Sequence, residues 1–399
     1  MHIIISGGGI GGLCAALCLA RTGHQITILE QAPAFAEVGA GLQISPNGMK
    51  VLRTLGLEEA ARTASFEPEQ IEMRFGQSGQ TIFDIPLKGY AERRWGAPFL
   101  QFHRADLLGV LLDAVMASPD IALKPSSKVT AYQSDADGIS VALEGQPDLT
   151  ADLLIGADGI HSMIREQMLG PEAPEFTGCM AWRGVVDVDK LAKTDIPPTA
   201  CAWVGRGKHA VTYKLRGGKL VNFVGVVEQS EFRQESWSTR GTREQIARDF
   251  GDWHPVIQEI IEQGDDFFRW GLFGRPVLPR WHDPRVALLG DAAHPMLPFL
   301  AQGAVMAMED GWVLASALAL ESRSLAERLA LYQTERLDRT AKVQARSRRN
   351  RKIFHLSNPL MRGGVYGAMR IGSQMTPEIV HRQMDWIYRH DVVSKDYGR

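Results

Sequence analysis

The sequence predicts an α/β fold: a Rossmann-like, doubly wound parallel sheet with an antiparallel β-sheet unit interleaved in it and helices at the C-terminal end. Three observations predict it. The chain opens on a β-branched run, clustered glycines, a helical stretch and a second apolar run that ends in Glu30. Two later apolar runs lead straight into turns holding Asp158-Gly159 and Gly290-Asp291. Between these segments lie stretches that alternate apolar and polar residues, the period of half-buried strands.

The bulk properties bound the function. A chain of 399 residues has room for two or three domains or for one intertwined unit. With 44 basic and 46 acidic residues the net charge is −2, which lacks the basic excess of a general nucleic-acid binder. Cys14, Cys18, Cys179 and Cys201 form no CxxC pair, so neither a metal site nor a disulfide framework is expected. Cys14 and Cys18 are four apart in a helical pattern and read as buried packing, as suits a reducing compartment. The N-terminus lacks the basic flank of a signal peptide and is broken by glycines. Residues 286–308 are apolar but contain Asp291, His294, Pro295, Pro298 and Gln302, so they fail as a membrane span. The expectation is a soluble, cytoplasmic protein. Its 40 glycines exceed the usual share of about 7 %.

The first thirty residues give the clearest chemistry. His2 to Ser6 reads as a buried strand, 13–21 as a helix ended by Gly23, and Gln25 to Leu29 as a second strand. Gly7, Gly9 and Gly12 complete G-x-G-x-x-G between them. Gly7 allows the tight turn, Gly9 lets backbone approach a pyrophosphate, and Gly12 lets helix and strand pack closely. Free N–H groups at the helix start suit phosphate, and Ile10 and Gly11 join the expected cofactor-binding set. Glu30 stands where an acid would bind ribose hydroxyls, favouring an adenosine without a 2′-phosphate, as in FAD or NAD.

Three further stretches decide between these. Residues 152–162 run from a strand into Gly156-Ala157-Asp158-Gly159, with Arg165 beyond. Residues 285–295 run from a strand into Gly290-Asp291 and end at Pro295. Residues 302–310 form a small-residue turn that opens a helix. Taken singly, Asp158 and Asp291 also read as helix caps. In this order, with the N-terminal motif, the three stretches resemble the FAD-dependent flavoprotein aromatic hydroxylases over nearly the whole chain. The resemblance implies that Asp291 binds the ribitol of FAD. It also implies that the backbone of Ala304, Val305 and Met306 faces the flavin pyrimidine. Asp158 and Gly159 would serve FAD and nicotinamide binding, and Arg104 would reach the FAD. Gln31 and Gln43 complete the expected cofactor set.

Residues 37–47, Ala181-Trp182-Arg183-Gly184, His294 to Pro298, Ala301-Gln302-Gly303 and Asp385-Trp386-Ile387-Tyr388 narrow the likeness. They are similar to the salicylate, 3-hydroxybenzoate and 6-hydroxynicotinate hydroxylating branch. That branch implies NADH (or NADPH) and O2 as co-substrates, a flavin C4a-hydroperoxide as the oxygen donor, a small hydroxyaromatic acid as substrate and a homodimer. Gln43 and Phe299 replace histidines of the hydroxynicotinate enzymes, which points to a more apolar pocket. A larger substrate, such as a polyketide, quinone precursor or antibiotic, stays open, as does a flavoprotein that binds without turnover.

His209 and Tyr213, four apart in a strand, share a face and match a pocket His and Tyr of this branch. A base removing the phenolic proton makes the ring more nucleophilic. Gln302 is a third catalytic candidate, polarising substrate or touching flavin. His294 reads as a core residue tied to its loop. Arg183 reads either as a carboxylate partner or as part of a sheet ion pair.

The expected FAD-binding domain is discontinuous: 1–70, 100–176 and 276–345. Residues 71–99 and 177–275 would form the substrate sheet, and 346–399 a helical end. Within them, 71–85 reads as a hairpin around Gln77-Ser78-Gly79, and 179–188, 209–215 and 219–227 as strands. Residues 242–264, 325–354 and 377–389 read as helices, and the basic run 336–352 as a solvated helix face.

Overall fold

The computed structural model describes residues 1–35, 41–230 and 239–398. Glu37 to Ala40, part of one family-like segment, lie outside the described residues.

The β-branched runs form a six-stranded sheet in the order His282–Asp283, Val286–Leu288, Leu153–Gly156, His2–Ser6, Gln25–Leu29 and Ile121–Lys124. All neighbours are parallel except the outermost pair, His282–Asp283 with Val286–Leu288. Its central strands are buried along their length, which is why they read as continuous apolar runs. Both Gly-Asp turns and the glycine loop leave the C-terminal ends of adjacent strands, the edge at which open α/β sheets bind ligands. Helix Ile10–Ala20 begins inside the glycine cluster, earlier than the sequence suggests, because Gly11 and Gly12 already adopt helical backbone. It packs closely on helix Gly303–Leu318: a Cβ on Gly311 would lie 2.9 Å from the Ala15 Cα.

The second large element is an eight-stranded sheet. Its order is Thr239–Gly241, Phe267–Gly274, Glu175–Asp187, Leu220–Glu228, Lys208–Leu215, Ala200–Gly205, Gln70–Phe75 and Thr81–Pro86. Every pair is antiparallel except Ala200–Gly205 with Gln70–Phe75. The alternation seen in sequence sorts its two faces. Trp182, Ala210, Val221 and Phe223 point outward into a core closed by Ile246, Phe250, Ile257 and Ile260. Arg183, His209, Tyr213 and Val226 point inward. Two small three-stranded sheets, Val129–Ser134 with Ile139–Leu143 and Gln146–Ala151, and Gly41–Ile44 with Leu100–His103 and Ser65–Phe66, complete the β-structure among the described residues.

Three helical expectations need correction. Residues 242–264 form two helices, Arg243–Phe250 and Pro255–Gln263, because Pro255 cannot continue the first and instead starts the second. Helix Pro359–Met375 lies in the expected helical end but is not delimited by the sequence, since its four glycines mask the helical period. The long helix Leu325–Phe354 matches expectation, but its basic run is divided: Lys342, Arg348, Arg349 and Lys352 are exposed, whereas its N-terminal end is drawn into the core. Arg336 is fully buried and donates to Glu309 (2.6 Å) and Asp310 (2.7 Å). Arg339 closes a bidentate pair on Glu309. Burial alone would raise the Glu309 carboxyl, but Arg339 and Arg336 outweigh it and hold the group well below the usual range. Replacing Arg336 with Met leaves two buried carboxylates short of a partner. The expected loss is about 3–5 kcal/mol, to be measured by urea unfolding.

Candidate active site

The inner face of the eight-stranded sheet, the glycine loop and the start of helix Gly303–Leu318 enclose a cavity of about 1240 Å³. Gly7, Gly9, Ile10, Gly11, Glu30, Gln31, Gln43, Arg104, Asp158, Gly159, Asp291 and Ala304 all line it. The loop can take this shape only with glycine at key points. Gly7 has φ +110°, and a Cβ there would sit 2.4 Å from the Ala157 carbonyl oxygen. Gly12 lies beneath the loop rather than on the cavity, where a Cβ would be 2.0 Å from the Gly7 carbonyl oxygen.

Both helices that open onto the cavity begin without a side-chain cap and without an acid in their first turn. Their first N–H groups and positive dipole ends therefore face the cavity. At the second helix the expectation needs trimming. Met306 already donates its N–H to the Gln302 carbonyl at 2.8 Å, so it has none to give a ligand. The side chains of Val305 and Met306 are buried in the core. Gly303 and Ala304 line the cavity instead.

The carboxylates divide into two kinds. Glu30 is anchored by the backbone, accepting from Gly8 N at 2.9 Å and Ala32 N at 2.8 Å. Asp158 Oδ2 accepts from Ile164 N, but its buried Oδ1 has no hydrogen-bond partner, and burial raises its carboxyl above the usual range. Asp291 opens on the cavity, yet enclosure by protein raises its carboxyl too, against the pull of His294 and Arg104. Hydroxyl donors from a ligand would relieve both groups. Uncapped helix starts, an uncrowded Gly9 and two under-donated carboxylates together suit a dinucleotide carrying a polyol chain.

The sheet side of the cavity is mostly apolar, with a few polar groups. His209 and Tyr213 do share a face and both line it, with Val211 between them. Tyr213 is seated against Gly41, whose N–H donates to Asn222 at 2.7 Å, and burial raises its phenol. His209 is buried against Phe299 and Phe354. Burial, with His355 beside it, holds its imidazole well below 6.5. Arg183 stacks on Trp270 at 3.6 Å and also lines the cavity. His294 is a core residue, as expected. Its Nε2 lies 2.5 Å from Asp310, and it packs on Trp281.

Gln302 departs from expectation. It borders the cavity, but its amide donates to Ser45 (2.9 Å) and accepts from Asn47 (3.2 Å). A side chain held at both ends positions the loop; it is not free to polarise a substrate. Sequence reading also missed His355, which bonds His209 at 2.7 Å, and Arg346 and Asn350, which line the cavity from the long helix. A helix-period count from Arg346 reaches Asn350 and Phe354, and that spacing was the available signal.

A family model described as "FAD binding domain" matches residues 1–347. The chain belongs to that FAD-binding flavoprotein family. It is 35 % identical to 6-hydroxynicotinate 3-monooxygenase of Pseudomonas fluorescens over 88 % of this chain and 91 % of that one. It is 34 % identical to 3-hydroxybenzoate 6-hydroxylase 1 of Aquipseudomonas alcaligenes over 99 % of each. Among solved structures, Klebsiella pneumoniae HpxO, crystallised with FAD and uric acid, superposes with a TM-score of 0.84 at 28 % identity. That match covers 96 % of this chain and 95 % of that one. The protein is an FAD-dependent aromatic-ring monooxygenase. No described helix is long and apolar enough to cross a membrane.

Two outcomes follow. Gly12→Ala should purify largely without flavin, read from the visible absorbance of the protein. Stability should also fall with acid. His390 is pushed down to about 4, mainly by burial, and His209 also lies below 6.5. The unfolded chain therefore takes up protons near pH 6.5 that the native chain refuses, so stability is lost as pH drops below that value. Glu309, depressed in the native state, steepens the loss below its ordinary 4.5. A melting-temperature series from pH 8 to 4 checks both the direction and the break.

Proposed function

We propose that this flavoenzyme hydroxylates a monocyclic hydroxyaromatic carboxylate, with NADH (or NADPH) and O2 as co-substrates. The observation that carries the reading is one continuous cavity with two unlike ends. One end is lined by the glycine loop, Asp158, Asp291 and an uncapped helix start; the other is an apolar sheet face bearing Arg183, His209 and Tyr213. Relatives named for 6-hydroxynicotinate and 3-hydroxybenzoate support this substrate class.

In this reading Gly7, Gly9, Ile10, Gly11, Glu30, Gln31, Gln43, Arg104, Asp158, Asp291 and Ala304 would hold FAD. When bound, FAD supplies electron transfer from the nicotinamide and oxygen transfer to the ring. The protein does the rest. Arg183 pairs with the substrate carboxylate; stacking on Trp270 fixes its guanidinium plane. The sheet and Phe299 exclude water. His209, neutral at pH 7, accepts the phenolic proton and so raises electron density on the ring. Tyr213, kept protonated by its burial, donates a hydrogen bond that orients the substrate. Residues 1–70, 100–176 and 276–345 would form the FAD unit, 71–99 and 177–275 the substrate unit, and 346–399 the helical end. The same proposal takes a cytoplasmic homodimer as the working form.

The test is NADH oxidation by FAD-loaded protein with 3-hydroxybenzoate, salicylate and 6-hydroxynicotinate, with peroxide and product both measured. Stimulated oxidation matched by hydroxylated product is expected with at least one acid. Peroxide without product from all three sinks the proposal. Arg183→Met should raise KM about tenfold to a hundredfold, the loss of one charge-assisted contact of about 1.5–3 kcal/mol, with a smaller change in kcat.

A further inference from the structure

The pocket histidine is the inner end of a chain of titratable groups that reaches the surface. His209 Nδ1 lies 2.7 Å from His355 Nε2, and His355 Nδ1 lies 3.1 Å from Glu228 Oε1. His209 and His355 are buried, whereas the Glu228 side chain is 49 % exposed. The three come from different elements: strand Lys208–Leu215, the C-terminal cap of helix Leu325–Phe354, and the last residue of strand Leu220–Glu228. The sheet register places them. His209 pairs with Val226, so Glu228, two residues on, lies diagonally across on the same face. The turn that precedes strand Lys208–Leu215 fixes the helix end: Gly207 N donates to the His355 carbonyl, and Glu228 N donates to the Gly207 carbonyl.

These contacts dictate both ring tautomers. An ionised Glu228 only accepts, so His355 carries its proton on Nδ1 and donates it. His355 Nε2 is then a bare acceptor. His209 must donate from Nδ1, which leaves Nε2 with an open lone pair. Nε2 makes no hydrogen bond among the described residues, and the ring lines the cavity.

We propose that Glu228 and His355 are positioning residues that hold His209 as a base and pass the substrate proton to solvent. The proposal rests on the reading of a phenolic substrate. The phenol O–H bond breaks and its proton goes to His209 Nε2. The Nδ1 proton of His209 passes to His355 Nε2, the Nδ1 proton of His355 passes to Glu228, and Glu228 releases a proton to water. Run backwards, the chain returns a proton to the product oxygen and restores both starting tautomers. Few other charges bear on the pair. Burial lowers the His355 imidazole against the pull of Glu228, and Arg351, on the same helix, adds to the lowering and donates to the Thr177 carbonyl. The Cys179 thiol, pushed up to about 11 chiefly by burial, lies neutral near Arg351 and Glu228. Lys208 turns away to Asp252. On the cavity side, Phe299 and Phe354 pack against His209.

Two measurements test the proposal. The first needs no substrate: long-range 15N–1H NMR of FAD-loaded protein labelled in histidine, with His209→Asn and His355→Gln used for assignment. Both rings should be neutral Nδ1–H tautomers at pH 7.5. An Nε2–H tautomer at His209 overturns the chain whatever the substrate proves to be. The second is the pH profile of turnover with the aromatic acid found active above. Glu228→Gln keeps an acceptor but removes the charge, so the acid limb should move to lower pH. His355→Leu, which leaves Nδ1 of His209 unpaired, should lower kcat about tenfold or more with KM within about twofold. His355→Gln, with an oxygen to accept that bond but no imidazole to pass the proton on, should recover only part of kcat. If Glu228→Gln leaves the acid limb in place, or if Gln and Leu at 355 are equally impaired while retaining FAD, the proposal fails. Absence of turnover with any aromatic acid would instead defeat the functional reading and leave the tautomer result standing.

Discussion

A buried cluster of two cations and two anions ties together the parts of this molecule that face its cavity. Arg336 holds both Glu309 and Asp310, and Arg339 holds Glu309 again. The free oxygens then reach outward. Asp310 accepts from the Gly290 N–H and binds His294, so it sets the loop that carries Asp291. Glu309 accepts from Asn47, which donates also to Gln302. One ion cluster thus fixes the Gly-Asp loop, the start of the cavity helix and the segment that follows strand Gly41–Ile44. Such a cluster is a poor source of net stability, because desolvation consumes most of its attraction. Its value is geometric: it holds three backbone segments in one register without occupying the cavity.

The cavity itself combines two electrostatic designs. Its dinucleotide end is all backbone and helix starts, with fixed dipoles and under-donated carboxylates. Its sheet end is apolar, and the few polar groups there are enclosed enough to have their titration moved. Fixed dipoles need no reorganisation during a reaction, and a dry wall strengthens each remaining charge. Both features follow from placing strand ends and an inward sheet face around the same space.

Much of this was legible in the sequence, and the reasons differ by element. The glycine loop and its flanking strands were readable because every residue there is constrained locally: a Cβ at Gly7 or Gly12 collides with backbone. The strand bearing His209 and Tyr213 was readable because alternation of period two survives any sheet order. The N-terminal end of the basic run 336–352 misled because charge patterning says nothing about whether an acid pair lies across the helix; Glu309 and Asp310 sat in view, but only the fold brings them to Arg336. Gln302 misled for a related reason, since its partners Ser45 and Asn47 are remote in sequence. The break at Pro255 was a local signal that should have been read.

The parallel pairing of Ile71–Phe75 with Ala200–Val204 bears on how the chain assembles. The hairpin Gln70–Pro86 is made early on the ribosome, yet its neighbour in the sheet is translated only after two further strands of the other sheet, Ile121–Lys124 and Leu153–Gly156, have emerged. Until then one hairpin edge has open N–H and C=O groups, a template for pairing with another nascent chain. Non-local strand pairing of this kind slows folding. Low temperature and slow synthesis, which favour completion of one chain before it meets another, should therefore raise the yield of soluble protein.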